Sequence, residues 1–274
     1  MDSRHYIFAF QIGSLAEAPE DFAIPADLQA IDAGVFLPAG REDSRGRKTY
    51  PARILLLAGR ELTSAAHPAA GERSSRLPLG KVESIESGRS LLLGWVVFCW
   101  DGGCLRLPYN AGAGGSVEDF LAALKDRWLP VSQNPPPAPP RPLGQPLDLK
   151  FGAALSAELL PGEKPVTVFF HPAVRRAERV RFRRRVAWDP GNLLVLTTRR
   201  LLWITERRDG CFERYGTVSR SAPLDKIAGA RCLRGENGTE LDAWFASGHC
   251  WRVPLGDVEA RESLELEAAV RRFR

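Results

Sequence analysis

Arginine is the residue of this chain with the most chemistry to offer. Residues 175–185 read Arg-Arg-Ala-Glu-Arg-Val-Arg-Phe-Arg-Arg-Arg, seven guanidinium groups and one carboxylate in eleven positions. A guanidinium is permanently charged and presents a planar fork of donors that matches the oxygens of a phosphate or a carboxylate. If Val180 to Trp188 is a strand, Arg181, Arg183 and Arg185 share one face, while Val180, Phe182, Val186 and Trp188 share the other and Arg184 interrupts it. Arg175, Arg176, Arg179, Arg181, Arg183 and Arg185 are therefore the candidate residues for an anion or partner. The competing reading is a solvated strand face.

The charge balance locates the question more narrowly than its sum does. The chain has 274 residues and a formal net charge of +5, with 38 Lys+Arg against 33 Asp+Glu. Residues 1–141 hold 15 basic and 16 acidic side chains, and residues 142–274 hold 23 and 17. The run contributes +6, which matches the whole positive excess of the second half. A near-neutral remainder disfavours a general polyanion binder. Single-stranded nucleic acid would call for stacking aromatics beside the basic groups, yet Phe182 and Trp188 fall on the expected core face. A protein partner or an anionic, phospholipid-type surface fits better.

Other chemistry is thin. The four histidines, at 5, 67, 171 and 249, stand apart from one another, and His249-Cys250 would point to opposite faces of a strand, so no metal site is expected. Five cysteines, at 99, 104, 211, 232 and 250, are odd in number and never spaced C-x-x-C, which implies reduced, packed thiols. Cys104 and Cys250 recur in G-x-C-x-R-x-P and are read as packing residues. No G-x-S-x-G, Walker loop or dinucleotide fingerprint is present, and no cofactor is expected. Gly112 to Gly115, before a helix, reads as a turn or an anion-holding N-terminus. An enzyme remains the alternative, with a site between domains drawing on Cys104, His67, Glu83 or Glu86.

The elements that must position these residues fall into two halves. Pro130 to Pro146 holds eight prolines in seventeen residues, and each fixes φ and removes a donor, so an extended spacer is expected. It separates a first domain over 1–129 from a second over 151–274, with 130–150 as linker and 1–36 an extension of the first. Three collinear blocks repeat between them: Ile54–Leu57 on Leu193–Leu196 with Arg60–Leu62 on Arg199–Leu201, Leu77–Val82 on Ala222–Ile227, and Gly102–Pro108 on Gly248–Pro254. In the second copy Val180–Trp188 reads as a strand, Asp189-Pro-Gly-Asn192 as a turn, and 193–198, 201–206, 216–223, 227–233, 240–246 and 249–254 as strands. Asp257 then caps a helix carrying Leu264, Leu266, Ala269, Val270 and Phe273. The first copy ends likewise, with Val117, Phe120, Leu121, Leu124 and Trp128 at helical spacing after Ser116. The seven tryptophans are expected mostly in the cores.

The succession Leu160-Pro-Gly-Glu163, Leu193 to Trp203 with its Thr-Thr-Arg-Arg, and Ala222-Pro-Leu-Asp-Lys-Ile227 resembles the bacterial pleckstrin-homology-like family. The resemblance covers residues 160–274 and, less fully, 37–129, where Ala58-Gly-Arg-Glu61 replaces Thr-Thr-Arg-Arg and Tyr6–Ile12 would supply a missing strand. It implies a mainly β chain of two tandem, partly open barrels or sandwiches, each closed by a C-terminal helix, that contacts protein or lipid without catalysis. In the eukaryotic relatives basic residues of the first strands receive inositol phosphates, and Arg181 and Arg183 are the nearest positions here. The longest apolar run, Leu91 to Trp100, falls short of the ~20 residues a bilayer crossing needs, and the N-terminus does not read as a leader. A cytoplasmic protein is expected, with peripheral membrane association left open.

Overall fold

The computed structural model describes residues 8–41, 49–72, 74–90, 93–130, 141–144, 146–180, 183–206, 216–235, 238–256, 258 and 260–272. They form two compact units, one of Met1–Val82 with Ser87–Pro130 and one of Glu83–Glu86 with Val131–Arg274. Each is mainly β and ends in a helix. Among the described residues no sheet closes into a barrel, and no helix is long and apolar enough to cross a membrane.

The first unit runs β1 (Phe10–Ile12), β2 (Ala33–Leu37), β3 (Gly40–Arg41), β4 (Thr49–Tyr50), β5 (Arg53–Ala58), β6 (Glu61–Ala66), β7 (Ser75–Pro78), β8 (Val82–Ser90), β9 (Leu93–Trp100), β10 (Gly103–Asn110) and α1 (Gly114–Trp128). An antiparallel sheet has the order β1-β2-β5-β6-β7, and β8, β9 and β10 are successive neighbours, with the Glu83–Glu86 stretch of β8 counted in the second unit. The unbroken apolar run of β5 reflects burial of both its faces. Ile54 and Leu56 join Ile12, Phe22 and Phe36 in one cluster, under an irregular segment that adds Leu28 and Ile31. Leu55 and Leu57, at the alternate positions, are equally buried. In α1 Val117, Phe120, Leu121, Leu124 and Trp128 are buried at the expected spacing, and the Trp128 indole donates to the Val82 carbonyl at 3.1 Å.

The second unit runs β11 (Arg141–Gly144), α2 (Leu149–Glu158), β12 (Pro165–His171), β13 (Val174–Val180), β14 (Arg183–Asp189), β15 (Asn192–Thr197), β16 (Arg200–Glu206), β17 (Gly216–Pro223), β18 (Ile227–Gly235), β19 (Gly238–Phe245), β20 (Cys250–Gly256) and α3 (Ala260–Arg272). Within the stretch read as a spacer, β11 pairs in parallel with β12, an edge position where proline is tolerated. Residues 131–140 lie outside the described set. The strands order as β17-β16-β15-β12-β11, and β18-β19-β20 form a separate meander. Leu194, Leu196, Leu201 and Trp203 face a core shared with Leu241, Phe245, Trp251 and Val253, closed by Leu266 and Val270 of α3. Leu193, Val195, Leu202 and Ile204 take the opposite face, covered by Phe151 and Leu155 of α2. That helix, absent from the sequence reading, explains why Leu193–Leu196 shows no polar alternation. The proposed cap of α3, Asp257, lies outside the described residues.

Asp148 starts α2 by accepting the Phe151 N–H at 2.8 Å. Asp148→Ala is expected to cost about 1 kcal/mol by loss of that cap. An unchanged urea midpoint would show that the cap carries no weight.

The two units repeat one element order. In each, a strand, a short hairpin, three strands, a 3-10 turn after proline (Leu79–Lys81 after Pro78, Leu224–Lys226 after Pro223), three more strands and a helix occur in that order, to which the first adds 3-10 turns at Pro68–Ala70 and Ala111–Ala113. The hairpins also correspond in detail. Leu37 pairs with Arg53 and Gly40 with Tyr50, around Pro38 and Pro51. His171 pairs with Asn192 and Val174 with Asp189, around Pro172 and Pro190. A proline lacks the N–H that a ladder requires, so both hairpins break at the same step and resume three positions on. The equivalent of the second copy's first strand is thus β2, and the β-strand within Tyr6–Ile12, β1, is an addition paired to it.

This register corrects the strand assigned to Val180–Trp188. Val180 belongs to β13 and Arg183–Asp189 to β14, and the chain reverses between them. Asp189-Pro-Gly-Asn192, read as a turn, is an interruption within one continuing strand direction, because Pro190 removes a donor without reversing the chain.

Candidate functional site

The base of the arginine hairpin is firmly held. Gly191, at the break, donates to Glu206 Oε2 at 3.3 Å and accepts from Glu206 N and Thr205 Oγ1, each at 3.2 Å. Asn192 Nδ2 donates to the Pro190 carbonyl at 2.8 Å, so groups freed by the missing ladder bonds find partners. A Cβ on Gly191 would approach the Phe151 ring to 2.9 Å, which explains glycine there. Beyond this base, β13 and β14 pair only with each other among the described residues.

On that hairpin Arg175, Arg176 and Arg179 lie in β13, and Arg183 and Arg185 in β14. Arg181 and Phe182, between the paired Val180 and Arg183, lie outside the described residues. The structure therefore gathers the candidates on two antiparallel strands instead of placing three along one. The register sets Arg185 opposite Glu178, Arg175 opposite Trp188 and Arg179 opposite Arg184. Like charges directly opposite destabilise a strand pair, by roughly the 0.2–1 kcal/mol that opposite charges contribute. Glu178 is the one acidic residue of β13 with a basic residue directly opposite in the register.

A second arginine site, which the sequence did not single out, lies in the core. Arg200 is fully buried. Its Nε and Nη2 donate to Glu163 Oε1 and Oε2 at 2.8 and 2.9 Å, Nη1 donates to Ser221 Oγ at 2.8 Å, and Nη2 also donates to the Glu158 carbonyl. Glu163 further accepts from Leu160 N at 3.0 Å and Thr197 Oγ1 at 2.7 Å. Burial alone would push the Glu163 carboxyl up. The Arg200 charge and these hydrogen bonds outweigh burial and hold it below its ordinary value. The Pro-Gly-Glu and Thr-Thr-Arg-Arg segments are thus two halves of one structural lock. The first copy has Glu61 at the position of Arg200 and so lacks the guanidinium.

Cys99 and Cys104 form a disulfide across β9 and β10, which corrects the expectation of five reduced thiols. Cys104 and Cys250, read as packing residues, are both exposed. Burial, then the nearby Glu267, pushes the Cys232 thiol up to about 12; burial, then Asp242, also raises Cys250. Cys211 lies outside the described residues. His67 Nδ1 accepts the Ala69 N–H, which leaves Nε2 as donor to Asp21 at 3.1 Å. Glu83 accepts from Ser247, and Glu86 accepts from Arg220 at 2.7 Å, all within the second unit. Among the described residues no group of His, Cys, Asp and Glu is arranged to hold a metal. Trp95, Trp128, Trp203 and Trp251 are buried, whereas Trp244 is 38% exposed. No protein-family model matches this chain, and no curated protein matches it.

Proposed function

We propose that this chain is a non-enzymatic binding module of two pleckstrin-homology-like units, docking on an anionic surface through the 174–189 hairpin of the second. The observation that supports this reading is the hairpin's charge. Five of the six candidate arginines share one two-stranded ribbon that continues outward from a held base, and the register leaves most of that charge without a cross-strand acid. Guanidinium forks of this density suit clustered phosphate or carboxylate oxygens. The raised thiols of Cys232 and Cys250 favour binding over thiolate catalysis.

Cosedimentation of the purified chain with phosphatidylserine-containing vesicles, against phosphatidylcholine vesicles, tests the lipid form of this surface. Binding to the acidic vesicles alone, released as salt rises, is the expected result. Copurification of an acidic protein in place of vesicle binding would assign the same chemistry to a protein partner. Retention of neither would overturn the reading.

A further inference from the structure

β9 and β10 are joined by the two residues Asp101 and Gly102, with Gly102 at φ 111°, and this tight turn sets Cys99 directly opposite Cys104. Their disulfide spans five positions of sequence. A cross-link stabilises mainly by restricting the unfolded chain, and more so for long loops. This one bridges a turn that its own ladder already closes, so it adds little restraint. It also lies at the surface, with Cys104 exposed and Cys99 half-buried. In the second unit Cys250 has Trp244 opposite it and is free, so the bond is particular to the first.

We propose that Cys99–Cys104 is a reversible thiol–disulfide exchange site that takes a dithiol reductant, and not a structural staple. A thiolate of the reductant attacks the exposed Sγ of Cys104; the Cys99–Cys104 bond breaks and Cys99 leaves as a thiolate that takes up a proton. The second thiol of the reductant then attacks the mixed disulfide and releases Cys104. The pair gains two electrons and two protons, and the dithiol becomes a disulfide. A low-molecular-weight disulfide such as oxidised glutathione runs the reaction in reverse.

The test uses the full chain equilibrated in glutathione buffers from oxidising to reducing, trapped with N-ethylmaleimide and weighed intact. The Cys99→Ser, Cys104→Ser double variant supplies the baseline for the other three cysteines. Two additional alkylations at the reducing end and none at the oxidising end are expected, along one curve reached from both directions. The melting temperature of the reduced chain should stay within about 5 °C of the oxidised one. A pair that holds one state across the whole series, or a reduction that abolishes the native melt, overturns the proposal.

Discussion

Glu163→Gln is expected to destabilise the second unit by about 3 kcal/mol, the lower end of the usual cost of removing one partner of a buried ion pair. Both side chains are fully shielded from solvent, so water cannot replace the lost carboxylate, and the Arg200 charge would keep Ser221 Oγ, the Glu158 carbonyl and, at 3.9 Å, the Glu158 carboxylate. Against a total of roughly 5–15 kcal/mol for an ordinary domain, that is a large fraction. Arg200→Met should be comparably damaging, since it strands the carboxylate. The double variant Glu163→Leu, Arg200→Met removes both charges and should lose less than either single one, a sign of coupling that urea denaturation can measure. The pair also sets an acid limit. Because the folded Glu163 titrates below its unfolded value of about 4.3, its contribution is complete above that pH and is lost as pH falls through the folded value. Glu163→Gln should lack that component of acid unfolding. Equal midpoints for wild type and Glu163→Gln, at neutral and at acid pH, would refute the lock.

What was legible in the sequence was whatever repeats or alternates locally. The collinear blocks around Leu193–Leu196 and Ala222–Ile227 recover the run of strands from Asn192 to Gly256 and the closing helices of both units, because strand composition and helical spacing act over a few residues. Features that depend on register were harder to see. Pro190 next to Gly191 looks like a turn, and only the pairing of Val174 with Asp189 shows that the chain continues past it. Cys99 and Cys104 stand in no disulfide spacing pattern, yet a two-residue Asp-Gly turn, a strong hairpin signal, would have set them opposite each other. The α2 helix is short and its Leu149 is 94% exposed, so its apolar side is too narrow to announce itself. The Glu163–Arg200 lock joins residues 37 positions apart, and nothing local in either motif reveals that the two meet in a core.

Reversing three charges on the hairpin, Arg176→Glu, Arg183→Glu and Arg184→Glu, should weaken binding to an acidic surface by at least ~100-fold. Each basic group near an anionic membrane is worth ~1 kcal/mol, and ~3 kcal/mol corresponds to about two decades in affinity; the added repulsion only increases the loss. Stability should move the other way or not at all. The register places Arg184 opposite Arg179, so its replacement by glutamate turns a like-charge pair into an opposite one, a gain of roughly 0.2–1 kcal/mol. Arg176 and Arg183 stand opposite Ala187 and Val180 and carry no such cross-strand charge. Arg185→Glu is the informative contrast, since it would set two carboxylates opposite each other at Glu178 and cost a similar amount while removing the same positive charge. Binding and melting temperature therefore separate cleanly: the triple variant loses the first and keeps the second, whereas Arg185→Glu weakens both slightly. Raising salt from about 0.15 M to 1 M, where the screening length falls from ~8 to ~3 Å, should release the wild type and leave the triple variant unaffected. Wild-type affinity in the triple variant would remove the hairpin from the binding surface.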